Sequence, residues 1–271
     1  MRTAWGHLPD KVLAAVTAHA GPVVAVEDAE GWAGSDLAAW LHFDGTSAFV
    51  KGAKIGSIDT WEPLQREAAV AEHVPGVSPR LLWRVTAEDW DLFGFELIEG
   101  AREWAEFRTG SPDIPLASAA LTEVGRAAAP PVVPGAWERW GYWCHPDDES
   151  LFRGDRLVHG DPAAVNFLVE DDRAWLVEWA WAVRGPAWID PMLWGCRLVT
   201  DGGQDPADAA ALVRELPGYA TGICRGRLAL VRAEAAALSE AAAEEGAHPE
   251  VEALAAGACA WAAYWESLVE V

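Results

Sequence analysis

The stretch Leu157-Val158-His159-Gly160-Asp161-Pro162-Ala163-Ala164-Val165-Asn166-Phe167-Leu168-Val169, followed by Trp175-Leu176-Val177-Glu178, decides how the chain reads. Two short apolar runs enclose a polar loop, and a third run ends on an acid. The loop carries a carboxylate at Asp161 and, five residues on, a carboxamide at Asn166; the next strand-like run delivers the Glu178 carboxylate. Phosphoryl transfer asks for such parts. It needs a carboxylate to orient the attacking hydroxyl and accept its proton, and hard oxygen ligands for a magnesium ion bridging nucleotide phosphates. Three oxygen-bearing side chains on one hairpin are able to converge on one metal–phosphate centre.

Working outward from the loop, residues 1–98 alternate apolar runs with turn signals. Gly21–Val26, Leu37–Phe43 and Thr46–Lys51 read as strands, the last two joined at Asp44-Gly45, a strong hairpin signal. Trp61–His73 has helical spacing, with Leu64, Ala68 and Ala71 on one face, and Leu81–Val85 and Leu92–Ile98 read as a further strand pair. From about residue 115 the pattern is helical, over 115–128, 191–200, 205–216, 226–245 and 248–269, interrupted by strand-like Phe167–Val169 and Ala174–Val177. The expectation is an α+β protein: a small antiparallel sheet with one helix over 1–98 and a larger, mainly helical part over 99–271.

In its order of elements and in His159-Gly160-Asp161 with Asn166, the chain resembles the aminoglycoside phosphotransferase family, which shares the bilobal fold of protein kinases. The loop matches that family's H-G-D-x-x-x-x-N, and the resemblance runs from the N-terminal strands to about Trp194. It implies that Asp161 is the catalytic base and that His159 scaffolds the loop. It implies that Lys51, at a strand end, pairs the nucleotide α/β-phosphates and is held by the helix residue Glu67. Asn166 and Glu178 are then the magnesium ligands, and ATP or GTP is the phosphoryl donor. Glu96 and Ile98 fall in the hinge segment and would meet the nucleobase through backbone groups, which leaves ATP versus GTP open. The phosphate-covering loop falls near Gly31–Asp36, where Gly34 and Ser35 either cradle phosphate or form an ordinary turn. Asp190, in Gly185-Pro186-Ala187-Trp188-Ile189-Asp190, matches the family's G-x-P-x-x-D and either braces the catalytic loop or caps the following helix.

The chain departs from the family at Glu178, where aspartate is usual. The extra methylene keeps the charge but moves it outward, leaving altered metal geometry and impaired catalysis as alternatives. Gly160 stands where many protein kinases have an arginine that reads activation-loop phosphorylation, so regulation of that kind is not expected. There is no G-x-x-x-x-G-K-[ST], which removes P-loop NTPases.

Composition bounds the rest. With 51% hydrophobic residues among 271, the chain has ample material for a core. Forty-two acidic against 20 basic side chains give a net charge of −22, a sign that repels nucleic-acid phosphates and anionic lipid, so neither is expected as a partner. The four cysteines are scattered, without a metal-binding pattern, and read as free thiols of a soluble cytoplasmic protein. The acidic balance reads as solubility or as steering of a cationic substrate, and the family resemblance implies a small hydroxylated acceptor, an aminoglycoside-like cationic antibiotic. Asp147, Asp148, Glu149 and Asp155 are candidates to hold its amino groups, or form a solvated loop. The alternatives are a kinase of another hydroxylated metabolite or of a peptide Ser/Thr, and a non-catalytic kinase-like nucleotide-binding protein. The 17 tryptophans are core filler or, for one or two near the loop, an acceptor pocket.

Overall fold

Apolar side chains at every fourth position, Leu8, Val12 and Val16, are all buried, and they start a fold in which one sheet is covered on both faces. The computed structural model describes residues 3–29, 34–74 and 76–268. It divides into two compact units, Met1–Gly100 with Val177–Ala180, and Ala101–Leu176 with Trp181–Val271.

In the first unit, helix α1 (Asp10–Ala20) begins after Pro9 and stops at Gly21, whose φ of 97° few other residues adopt. Strands β1 (Ala25–Asp28), β2 (Leu37–Phe43) and β3 (Thr46–Lys54), helix α2 (Trp61–Ala71), and strands β4 (Leu81–Ala87) and β5 (Trp90–Glu96) follow. The strands form an antiparallel sheet in the order β1-β2-β3-β5-β4. The Asp44-Gly45 hairpin forms as expected, with Phe43 opposite Thr46. Strand alternation sorts the sheet's two faces. Leu37, Leu41, Val50 and Leu92 pack with Trp5, Leu8, Val12 and Val16, whereas Ala53, Phe93 and Phe95 pack with Leu64, Ala68 and Ala71 of α2.

The expectation of one helix in this part of the chain is corrected to two. A single helix covers one face of a sheet, but β5 is buried continuously from Trp90 to Phe95, so both faces need cover. The sequence signal was present in Leu8, Val12 and Val16, bounded by Pro9 and Gly21. Strand pairing also depends on Gly94: a Cβ there would run into the Trp83 indole, which lies across it from β4.

In the second unit β6 (Arg102–Glu103) is followed by α3 (Asp113–Val124), the short α4 (Ala136–Trp140) and β7 (Arg156–Val158). Next come β8 (Phe167–Val169), β9 (Ala174–Leu176), β10 (Val183–Gly185) and α5 (Ile189–Thr200). Helices α6 (Pro206–Glu215), α7 (Cys224–Ala242) and α8 (Pro249–Ser267) complete it. β6, β8 and β9 form one small antiparallel sheet, and β7 pairs with β10. Helix α5 runs through the core. Its Trp194 meets Phe107 edge-on, and its Met192 carbonyl accepts a 3.0 Å hydrogen bond from Trp261 Nε1 on α8. Trp140, Trp179, Trp194 and Trp261 are fully buried, which identifies these four as filler. Among the described residues no helix is long and apolar enough to cross a membrane.

Candidate active site

In the first unit, alternation along β3 turns Val50 toward α1 and Lys51 toward α2. On α2, Glu67 shares a face with Leu64, Ala68 and Ala71. Lys51 and Glu67 are therefore forced together: Lys51 Nζ donates to both Glu67 oxygens, at 3.0 and 2.9 Å, and both residues are buried. Glu178 joins them, taking a short hydrogen bond from Lys51 Nζ through Oε1. Burial alone would lower the Lys51 pKa, but the Glu178 and Glu67 carboxylates outweigh it and hold the ammonium above its ordinary range. The Glu178 backbone has a φ of 63°, uncommon outside glycine and of the kind that clusters at functional sites. Its neighbours fix the segment: Trp179 Nε1 donates to Ser78 Oγ at 3.1 Å, and the Ala180 carbonyl accepts from Arg66.

Ser35 is buried, and its Oγ has no hydrogen-bond partner among the described residues. An unpaired buried hydroxyl is costly, and a ligand oxygen would relieve it. Gly34 beside it has room for close approach, the nearest atom to a notional Cβ being Ala180 Cβ at 3.7 Å. Gly31 to Ala33, the rest of the expected loop, lie outside the described residues. Glu96 ends β5, with its carboxylate held by Arg80 through two 3.0 Å hydrogen bonds, and Ile98 follows, half-buried.

In the second unit, the loop 159–166 leaves β7 and enters β8. His159 is fully buried. The loop's opening turn is held by Asp190 at the start of α5, whose two carboxylate oxygens accept the His159 N–H at 2.7 Å and the Gly160 N–H at 2.9 Å. Of the two readings of Asp190, the geometry favours bracing over capping. Gly160 has a φ of 84°, and a Cβ on it would strike Arg139 Nη1 and the Trp181 carbonyl, so the position tolerates only glycine. Asn166 closes the loop, its Nδ2 donating to the Asp161 carbonyl at 2.8 Å and, over 3.3 Å, to Asp161 Oδ2.

The structure thus gathers Lys51, Glu67 and Glu178 in one unit and His159, Asp161, Asn166 and Asp190 in the other. It adds residues the sequence reading missed. Arg197 Nη2 donates to Asp161 Oδ1 at 2.7 Å. Arg139, seated between the Trp140 and Trp181 rings, approaches the loop from α4. Burial would raise the Asp161 carboxyl, but Arg197, with Arg139 and His159, holds it below the usual carboxylate range. Arg197 lies seven residues after Asp190 on a predicted helix, a spacing that returns to the same face; that was the available signal. A small cleft beside Asp161 is lined by Leu193, Arg197, Thr200 and Glu234.

Magnesium, the metal expected here, can be tested against these donors. Asn166 commits its nitrogen to Asp161 and keeps Oδ1, while Glu178 commits Oε1 to Lys51 and keeps Oε2. Hard oxygens of this kind suit magnesium, which takes only one or two protein ligands beside phosphate and water.

The acidic candidates of the loop before β7 lie beside basic side chains, two of them closely. Asp148 is paired with Arg225 at 2.6 Å, Glu149 with Arg153 at 2.7 Å, Asp155 with Arg156 at 3.5 Å, and Asp147 lies 3.5 Å from His145 Nδ1.

No protein-family profile matches the chain, and no curated protein matches it either. Solved structures do. An aminoglycoside phosphotransferase, the apo form of a thermostable APH(4)-Ia mutant, superposes with a TM-score of 0.62 at 12% identity, over 96% of this chain and 100% of that one. A choline/ethanolamine kinase family protein from Mesorhizobium loti gives 0.58 at 17% identity, over 96% and 92%. Spectinomycin phosphotransferase APH(9)-Ia, solved with ADP and spectinomycin, gives 0.59 at 11% identity, over 89% and 91%. The chain has the protein-kinase-like fold of the aminoglycoside phosphotransferases.

Proposed function

We propose that the protein is a phosphotransferase that moves the γ-phosphate of ATP or GTP onto a hydroxyl of a small molecule. The observation that carries this reading is the buried Lys51–Glu67 pair. Removing two charges from water stabilises a fold little, so a buried lysine clasped by both glutamate oxygens is better explained by an anionic ligand than by stability.

Lys51 neutralises charge on the α/β-phosphates, Glu67 keeps the ammonium in place, and the Ser35 hydroxyl is a donor for a phosphate oxygen. Asp161 orients the acceptor hydroxyl. As the acceptor oxygen bonds to the γ-phosphorus and the bond to the β-bridging oxygen breaks, the hydroxyl proton passes to Asp161 and the nucleoside diphosphate leaves. Asn166 Oδ1 and Glu178 Oε2 are the atoms this chain offers to magnesium, which when bound neutralises phosphate charge. Catalysis rests on positioning and charge, since the transition state asks little covalent chemistry of the protein. The soluble, cytoplasmic setting expected from the sequence belongs to the same reading.

For the acceptor, an aminoglycoside-like cationic antibiotic is one reading, in keeping with the net charge of −22. A second is favoured by a specific observation. Of the acidic side chains before β7, Asp148 and Glu149 are paired with Arg225 and Arg153, and Glu234 lines the cleft beside Asp161, with one oxygen taken by Trp140 Nε1 at 2.8 Å. That arrangement suits an acceptor with one amino group, an amino alcohol or amino sugar. ADP release with hygromycin B, spectinomycin, choline and ethanolamine, each at low and high salt, tests both. A polycation's kcat/KM should fall steeply with salt, and a singly charged acceptor's should fall little. Nucleotide binding without turnover on any acceptor or on water would leave the non-catalytic alternative standing.

A further inference from the structure

Helix α5 meets the 159–166 loop along one stripe. Asp190 holds the His159 and Gly160 amides, and Asp201, just past the helix end, accepts the Ala164 N–H through Oδ2 at 2.9 Å. Arg197 lies between them on the same face. Its Nη2 reaches Asp161 Oδ1 at 2.7 Å, and its Nη1 lies 3.6 Å from Asp201 Oδ1, which Thr200 Oγ1 steadies at 2.7 Å. The Arg197 side chain is only 17% exposed, and its planar guanidinium faces the two carboxylates with separate nitrogens in a fixed geometry that a lysine ammonium lacks. The two oxygens of Asp161 are therefore unequal. Oδ1 is occupied by a short, charge-assisted bond, and among the described residues Oδ2 carries only the 3.3 Å contact from Asn166.

We propose that Arg197 is a positioning residue for Asp161: by holding Oδ1 it fixes the carboxylate's orientation so that Oδ2 is the oxygen that receives the acceptor's proton. The inference rests on the phosphotransferase reading and adds to it a side chain outside the catalytic loop. It also explains why the Arg197 charge is matched by Asp201. A guanidinium bound to Asp161 alone would be free to swing with it; anchored at both ends, it fixes the carboxylate to the helix.

Magnesium–ATP with water as the acceptor provides the probe, read as ADP release, with Arg197→Met and Arg197→Lys each made alone and with Asp161→Asn. At saturating ATP, Arg197→Met should lower turnover about 10- to 100-fold, the range for losing a hydrogen bond between charged groups. The KM for ATP should move by no more than about two-fold, because nothing that holds nucleotide has been altered. Arg197→Lys should recover part of the loss. With Asp161→Asn already present, neither substitution should lower the residual rate further, since Arg197 acts through that carboxylate. Turnover kept within about three-fold in Arg197→Met, a loss carried by KM, or an equal loss in both backgrounds overturns the proposal. If Arg197→Met does not fold, the lysine cycle decides, and undiminished turnover in Arg197→Lys counts against the proposal. Absence of magnesium-dependent release of both ADP from ATP and GDP from GTP by the unsubstituted protein, with water and with every acceptor above, defeats the phosphotransferase reading itself, and this inference with it.

Discussion

Both units hold a charged group that the rest of its unit surrounds with opposite charge, but the signs are reversed. In the first, the Lys51 ammonium is shared by two carboxylates, Glu67 and Glu178, leaving a surplus of negative charge. In the second, the Asp161 carboxylate is shared by Arg197 and, at longer range, Arg139 and His159. On the phosphotransferase reading, Glu178 would be the carboxylate offered to a metal, and Lys51 would then be left to Glu67 and a phosphate. The second has no carboxylate to spare and holds one oxygen of Asp161 in place. The difference teaches that, on this reading, the first cluster would exchange partners where the second keeps its geometry.

The largest expected effect breaks the first cluster. Lys51→Met leaves Glu67 buried without its cation, and loss of one partner of a buried pair costs about 3–5 kcal/mol, read as a fall in stability by urea denaturation at pH 7. Because the folded-state Lys51 pKa lies above its ordinary 10.5, the stabilisation is full below that value and fades above it. The stability gap between the two proteins should therefore narrow by pH 11; a gap that widens there contradicts the assignment. Breaking the second cluster is expected to cost less. Asp190→Asn sets an NH₂ group against one of two backbone N–H donors, so stability should drop by about 1–3 kcal/mol, with a loss of turnover at unchanged ATP binding. Unchanged turnover would show that the bracing of His159 and Gly160 is dispensable.

How far these clusters could be read in advance differs between them. Lys51 and Glu67 were legible because strand alternation and helical spacing put each on a definite face, and Asp161, Asn166 and Asp190 because a contiguous loop announces itself. Arg197 and Asp201 were not, since contacts with the loop across 36 positions, Arg197 to Asp161, and 37 positions, Asp201 to Ala164, leave little local mark. The two-helix cover of the sheet was missed for another reason: α1 buries only Val12 and Val16 of its own eleven residues, a stripe too thin to outweigh the strand-like segments after it. The pairing of Asp148 with Arg225, likewise, depends on a fold-level approach that a run of acids does not reveal.

Smaller effects sharpen the contrast between site and scaffold. Val16→Ala on α1 should cost about 1–2 kcal/mol of stability through lost burial, with the KM for ATP unchanged. A shifted KM would mean that α1 contributes to more than the core. The smallest concerns the thiols. Cys224 and Cys259 are exposed, whereas Cys196 is buried and burial pushes the Cys144 thiol up to about 11. Titration with a thiol reagent at pH 8 should show two fast and two slow groups; four fast groups would contradict the packing around α5 and α7.

The central claim is that Asp161 carries out transfer and does not hold nucleotide. The most direct measurement compares Asp161→Asn with the unsubstituted protein, following magnesium-dependent ADP release and, separately, ADP affinity. The expected result is a fall in turnover of about 10³-fold, in the range for loss of a catalytic base, with affinity unchanged within about two-fold. Retained turnover, or affinity lost in step with turnover, would contradict it.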